Sequence, residues 1–395
     1  MRKDQKFKIG VLCAKPFPQG MASTTRIISY SKGLIQNGAE VEVYSFARVG
    51  DDSPTPLDGE VEGVKYFLPW KYHTQRGKFC HFFIDRPHIY WGTIKKIRTS
   101  HKQQPFDYFL VSTDFISHFR FFLPRIFMMQ IPMAFVIDEY PLAIRMLKER
   151  ISMWDKMRYK LYHSFFRKRI VMTKALENYY NKEISPKPTY ILCTVLDEKR
   201  FDGIVRQPVD RKYICYMGNM MLTKDNVDNI IKAFSMIAQE FPEIDLHLYG
   251  TPNAEDKTFV ESCIKECCMT ERVFIKGRVD YSVVPQILAN ATLLVASQPN
   301  TKRAEGGFPT KMGEYMMSKT PMLVTDVGEI GEYVHDGETT FMVLPEDPVA
   351  YAEKIRYIFT HESKANEVAS NAYQYAVNNF TAKGATSEII PFLKK

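Results

Sequence analysis

Lys311 and Glu314 stand three positions apart in the segment RAEGGFPTKMGEYMMSKTPMLVTDVGEIGEYV, residues 303–334. The lysine offers a full cation and the glutamate accepts hydrogen bonds from hydroxyls, so the pair has the chemistry to hold an anionic, sugar-bearing ligand. From Thr310 onward the apolar residues Met312, Tyr315 and Met316 recur at three- and four-residue offsets, which predicts a helix, and PMLV predicts a short buried strand after it. Gly306 and Gly307 ahead of that helix let a ligand approach the backbone, and the free amides of a helix start favour an anion. The same residues also fit a capped helix whose polar side chains face water, and the segment alone leaves both readings open.

The elements that must position this pair repeat in a regular order. KIGVLCA predicts a strand, TRIISYSKGLIQNG a helix and AEVEVYSF the next strand, and DYFLVST, PMAFVID, RIVMT and TYILCT predict further strands with helices between them. A second series runs from KYICYMG through the helix NVDNIIKAFSMIAQEF, the strand IDLHLYG, a helix near 255–268, VFIKGRV and TLLVASQ to the opening segment. Alternating strands and helices imply parallel sheets covered by helices, so the expected fold class is α/β with two doubly wound halves. At 395 residues the chain exceeds what one core usually supports. The expected division is 1–205, 206–378 and a C-terminal helical stretch 379–395 that returns to the first domain, with the join near DEKRFDGIVRQPVDRK. Ligands of such sheets bind beyond the carboxyl ends of the strands, which here predicts the cleft between the halves.

Hydrophobic content of 45% and charged content of 25% are those of a folded protein. A net charge of +8 points to anionic partners: nucleotide phosphates, acidic lipid or nucleic acid. The basic residues form no recognisable nucleic-acid module, so no nucleic-acid partner is expected. Seven cysteines without paired spacing argue against a disulfide framework and for a reducing compartment, and the CIKECC cluster at Cys263–Cys268 reads as packing. The N-terminal apolar run is short and broken by Lys15 and Pro16, so it reads as a strand and not as a signal peptide, and no window is long and apolar enough to span a bilayer. The expected location is cytoplasmic. Two stretches interleave aromatics with bases, residues 66–104 and MWDKMRYKLYHSFFRKRI at 153–170. Each fits either a peripheral membrane contact or a packed helix whose bases extend into water. No metal-spaced His and Cys set, no GxGxxG fingerprint at the first strand-helix turn and no P-loop is present, so neither a metal nor a nicotinamide cofactor is expected.

YMGNMMLTKDNVDNIIKAF, VFIKGRVDYSVVPQILANATLLVAS and GGFPTKMGEYMMSKTPMLVTDVGEIGEYV resemble the nucleotide-sugar-binding half of the GT-B glycosyltransferases, in particular the large retaining family four. PQGMASTTRIISYSKGLIQNGAEVEVYS and TVLDEKRF resemble elements nearer the family's N-terminus, so the likeness extends over nearly the whole chain. The resemblance implies transfer of a sugar, with retention, from a nucleoside diphosphate sugar to an acceptor hydroxyl of a surface polysaccharide or lipid-linked glycan. It implies that Lys224 contacts the diphosphate, that Glu314 takes the ribose hydroxyls and that Lys311 adds to the phosphate field. Gly218 matches the glycine of the close backbone turn, and Gly277, Arg278 and Val279 match the stretch lining the base. From the first domain, the Gly20 loop and Arg26 approach the donor by analogy. Asn219 stands where the family usually has arginine, which removes one leaving-group cation. Gly306 stands where the family's first signature glutamate belongs, with Glu305 one residue early. Asp138 occupies the place of a histidine near the donor sugar, where it could bind a hydroxyl or stabilise positive charge, or simply cap a helix. These departures keep two alternatives open, a scaffold that binds nucleotide or glycan without transfer, and a sugar epimerase of the same fold.

Overall fold

The computed structural model describes residues 5–20, 22–75, 77–113, 115–141 and 152–395. The chain forms two compact units, Met1–Val195 together with Thr381–Lys395, and Leu196–Phe380. These joins differ from the sequence-derived 205/206 and 378/379. The Leu196 N–H donates to the Phe380 carbonyl at 2.7 Å, so the chain enters and leaves the second unit at one point.

The first unit is an eight-stranded sheet in the order Thr189–Ile191, Phe166–Val171, Met133–Ile137, Tyr108–Ser112, Phe7–Cys13, Ala39–Ser45, Val64–Phe67, Asp58–Val61. All neighbours are parallel except the last pair, a hairpin. The central strands read as continuous apolar runs because helices cover both of their faces. The winding reverses between Phe7–Cys13 and Tyr108–Ser112. The C-terminal helices Ala382–Thr386 and Ile389–Lys394 belong to this unit. Gly33 admits the first of them: a Cβ there would lie 1.9 Å from the Ala382 carbonyl oxygen. Lys168 Nζ then caps the chain end by donating to the Phe392 and Leu393 carbonyls. The stretch 153–170 is a helix, Met153–His163, followed by the strand Phe166–Val171, and so is not one amphipathic helix.

The second unit is a six-stranded, wholly parallel sheet in the order Val273–Gly277, Ile244–Tyr249, Lys212–Met217, Leu293–Ala296, Met322–Thr325, Phe341–Val343. This is the doubly wound order, and the reversal falls between Lys212–Met217 and Leu293–Ala296. The helix Val227–Ile237 buries Val227, Ile230, Ile231, Phe234 and Ile237 against the sheet, the stripe its three- and four-residue spacing predicts. All seven cysteines are free. Among the described residues no helix is long and apolar enough to cross a membrane, and no three metal-ligating side chains are grouped.

Burial holds several imidazoles neutral. His118 is pushed down to about 4 by burial and then by the Arg86 charge, and His247 to about 4 by burial and then by Lys276. His163 is fully buried with neither ring nitrogen hydrogen-bonded, and burial holds it well below the usual histidine value. Below the ordinary histidine pKa of about 6.5 the unfolded chain takes up protons that the native state refuses until much lower pH. Stability is therefore expected to be full above pH about 6.5 and to fall from there towards about 4. Urea midpoints measured across that window check this, and a flat profile would contradict it.

Candidate functional site

Three neighbouring strands of the second unit end in glycines, Gly218, Gly250 and Gly277. The Gly218 N–H donates to the Tyr249 carbonyl at 3.0 Å and the Gly250 N–H to the Gly277 carbonyl at 2.8 Å. Gly250 adopts φ +125 and Gly277 φ +74. A Cβ on Gly250 would lie 1.6 Å from the Gly218 carbonyl oxygen, so only glycine fits that close approach. Nothing in the sequence reading singled out Gly250; its signal was the IDLHLYG strand end, a glycine in register with the two already named.

Beyond Gly218 the chain makes a tight turn beside the winding reversal. Asn219 is exposed, and its Oδ1 accepts from the Met221 N–H at 3.2 Å. Met220 is buried with φ +53, and its N–H donates to the Tyr216 hydroxyl at 3.2 Å. The N–H groups of Lys224 and Asp225 both donate to the Met221 carbonyl at 2.8 Å, and the Asn226 N–H donates to the Ser297 carbonyl at 2.6 Å. The turn is thereby fixed to the end of the neighbouring strand. Lys224 is half-buried within it.

The helix Thr310–Met317 delivers the opening pair. Its Tyr315 hydroxyl accepts from the Met217 N–H at 3.0 Å and donates to the Val295 carbonyl at 3.3 Å, which pins the helix across the reversal point. One turn earlier, Lys311 Nζ lies 2.7 Å from Oδ1 of Asp225, a carboxylate 1% exposed, and 4.5 Å from the Tyr216 ring centre. A Cβ on Gly218 would stand 3.0 Å from that ammonium. An unpaired charge so deep would be costly, and pairing with Asp225 removes that cost while cancelling much of the field of Lys311. Gly313 makes room for Leu196, whose Cδ2 would lie 2.5 Å from a Cβ there. The 3-10 turn Glu198–Phe201 that follows brings Arg200 onto Glu314. The guanidinium carbon lies over the Tyr281 ring, 3.3 Å from its centre, and the group donates to the Tyr281 carbonyl at 2.8 Å. Arg200 was visible in TVLDEKRF but carried no assigned role, because its partner is distant in sequence.

The other sequence candidates fall in separate places. Glu305 is exposed on the short helix Lys302–Gly306, 2.6 Å from Lys302, and Gly306 is buried. Arg303 of the same helix places Nη1 3.8 Å from the Met221 sulfur, beside the turn that holds Lys224. Arg278 is exposed and Val279 half-buried after Gly277. In the first unit Arg26 is buried and internally used. It donates through Nε to Asp138 at 2.9 Å and through its other nitrogens to the Cys193 and Leu192 carbonyls. Gly20 packs on Thr24, whose hydroxyl would lie 2.1 Å from a Cβ there.

Residues 197–375 match the family model described as glycosyl transferases group 1, nearly the whole of the second unit. The GtfA subunit of UDP-N-acetylglucosamine–peptide N-acetylglucosaminyltransferase from Streptococcus gordonii is 25% identical over 255 residues, 62% of this chain and 47% of that protein. Trehalose synthase from Thermococcus litoralis is 26% identical over 221 residues, 53% of this chain and 49% of its own. The chain thus spans about half the length of these curated relatives. Sucrose-phosphate synthase from Thermosynechococcus elongatus matches in structure with a TM-score of 0.72 over 98% of both chains at 15% identity. Anabaena HepE in complex with UDP-glucose matches with a TM-score of 0.68 over 98% of this chain and 99% of that one at 14% identity. These matches show the GT-B fold.

Proposed function

We propose that this chain, whose Leu196–Phe380 unit matches the glycosyl transferases group 1 over residues 197–375, moves a hexosyl group, with retention, from a nucleoside diphosphate sugar to an acceptor hydroxyl. The observation that carries the reading is the apposition of Lys311, buried Asp225 and side-chain-free Gly218 at the winding reversal, with Glu314 one helical turn away. In this reading Glu314 uses the carboxylate capacity left beside Arg200 to accept the ribose hydroxyls. The backbone of Gly277, Arg278 and Val279 lines the base.

The diphosphate needs cations as it departs. Lys311 is largely neutralised by Asp225, and Asn219 supplies no charge, so the reading assigns the leaving-group field to Lys224 and to Arg303 beside the same turn. These side chains make a metal unnecessary. Glu305 takes a sugar hydroxyl only after leaving Lys302, and in the first unit Asp138, with Arg26 orienting it, has the chemistry to accept a sugar hydroxyl. The acceptor is a polysaccharide or lipid-linked glycan, and the reading places the reaction in the cytoplasm, where seven free thiols persist.

Lys224→Ala and Arg303→Ala are each expected to lower turnover by about 100-fold, as loss of one transition-state contact does, with little change in melting temperature. An equal fall in melting temperature and activity would assign them to structure. A thermal shift series with UDP, GDP, ADP and CMP, followed by turnover of the matching sugar nucleotide, tests the whole reading. The surface position of Glu305 and the neutral Asn219 favour a second reading, a scaffold that binds nucleotide without transfer. Nucleotide-induced stabilisation without donor consumption would select it.

A further inference from the structure

The two aromatic and basic stretches that are separate in sequence form one surface on the first unit. The helix Arg86–Gln103 packs on Ile116–Phe127, which packs on Met153–His163. Side-chain contacts connect the first two without a break: Phe79 to Phe83, Phe83 to Phe82, Arg86 over Phe82 and Tyr90, Tyr90 to Phe121, and Arg125 over both Phe121 and Trp91. Phe127 then meets Phe165, just past the third helix.

This layer turns large apolar side chains outward. Phe79 is 73% exposed, Phe83 58%, Trp91 54%, Phe127 61% and Met128 80%. The inner side of the π-helical turn His81–Asp85 is held by buried Asp85, which pairs with His81 at 2.6 Å and accepts from the Trp70 indole at 3.3 Å, so Phe82 and Phe83 are left facing out. The helix Met153–His163 buries Tyr159 and His163, and its other stripe, Trp154, Met157, Arg158 and Leu161, is exposed at helical spacing. Of the exposed large hydrophobics described in this unit, all but Leu57 lie on this layer or its flanks.

Charge is concentrated on the same layer. The three helices hold ten lysines and arginines against one carboxylate, Asp155, while the whole chain nets +8. The remainder of the molecule is therefore close to balanced. Lys96 and Lys156 pair with Asp58 and Glu183 from neighbouring elements, while Lys95, Arg98, Arg120 and Lys160 are exposed.

We infer that this helical layer is a docking surface for a lipid bilayer containing anionic lipid, with the aromatic and Met side chains entering the headgroup boundary and the bases meeting lipid phosphates. Exposed Phe, Trp, Met and Leu beside an excess of positive charge have the composition of an interfacial surface. Nucleic acid would use the bases and some aromatics but has no use for the exposed Met and Leu stripe. The inference does not depend on the transfer reaction, although a lipid-linked acceptor would be met there.

Sedimentation of the full chain with vesicles tests it. Equimolar phosphatidylglycerol and phosphatidylcholine vesicles should carry the protein down, phosphatidylcholine alone should not, and high salt should release it. Trp154→Ser with Met157→Ser and Leu161→Ser, and separately Phe79→Ser with Phe82→Ser and Phe83→Ser, should each lower the partition coefficient by about tenfold or more. Arg158→Glu with Lys160→Glu should lower it without touching the apolar stripe. All three variants should keep the wild-type melting temperature and nucleotide response, which separates this surface from the nucleotide site. No binding to the anionic vesicles, binding unchanged in all three variants, or binding of duplex RNA in place of vesicles would overturn the inference.

Discussion

Gly250→Ala is expected to be the most damaging single methyl that can be added near the site. The new Cβ would lie 1.6 Å from the Gly218 carbonyl oxygen, and the φ of +125 that Gly250 adopts lies outside the conformations open to alanine. Neither the oxygen nor the dihedral can yield alone, because the Gly250 N–H is bonded to Gly277 and the Gly218 N–H to Tyr249. Backbone strain and overpacking together are expected to cost about 3 to 5 kcal/mol. For a unit of this size that lowers the melting temperature by about 10 °C, and whatever folds should bind nucleotide weakly because the Gly218 turn has moved. Differential scanning calorimetry of the variant decides it. A shift of about 2 °C or less would mean that the strand ends are far more yielding than their hydrogen bonds imply.

Glu314→Ala is expected to separate binding from folding. Its pair with Arg200 is largely buried, with side-chain exposures of 14% and 24%, but Arg200 keeps other partners when the carboxylate is removed, so the cost to folding is expected to be modest. Removing it leaves Arg200 on the Tyr281 ring and carbonyl, and the melting temperature without ligand should move little. Hydrogen bonds from ribose hydroxyls to a carboxylate are charge-assisted, worth about 1.5 to 3 kcal/mol each, so affinity for the preferred nucleoside diphosphate should fall about 10- to 100-fold. Isothermal titration measures this directly. Arg200→Met belongs in the same series. If Arg200 orients Glu314 for the ribose, the double variant should lose less than the sum of the two single losses. Tighter binding in Arg200→Met would mean instead that the arginine competes with the nucleotide for the carboxylate.

The parts of this protein legible in its sequence are those written by neighbours along the chain. Strand runs such as FKIGVLC and MAFVI, the buried stripe of Val227–Ile237 and the GGFPTKMGEY segment each depend on a local period or a contiguous motif. They therefore gave the α/β class, two doubly wound sheets and the likeness of the second unit to the glycosyl transferases group 1. The hairpin Asp58–Val61 with Val64–Phe67 and the edge strand Phe341–Val343 went unread, because short edge elements carry little pattern of their own.

Charge by itself also followed from sequence, and its destination did not. The residue types of Lys311, Asp225, Arg200 and Glu314 were plain, yet which carboxylate neutralises which cation depends on chain segments 86 and 114 residues apart meeting in space. Arg26 and Asp138 likewise read as two candidates for a ligand, and folding joined them to each other at 2.9 Å. Pairing a buried charge is enforced by the cost of leaving it alone in a poorly polarisable interior, and that cost exists only once the surrounding residues have closed around it. For the same reason composition could place aromatics beside bases in two stretches, while only the packing of three helices made them one surface. Local period and motif fixed what each segment is; tertiary packing decided which charges cancel, which remain available and which apolar faces are left to water.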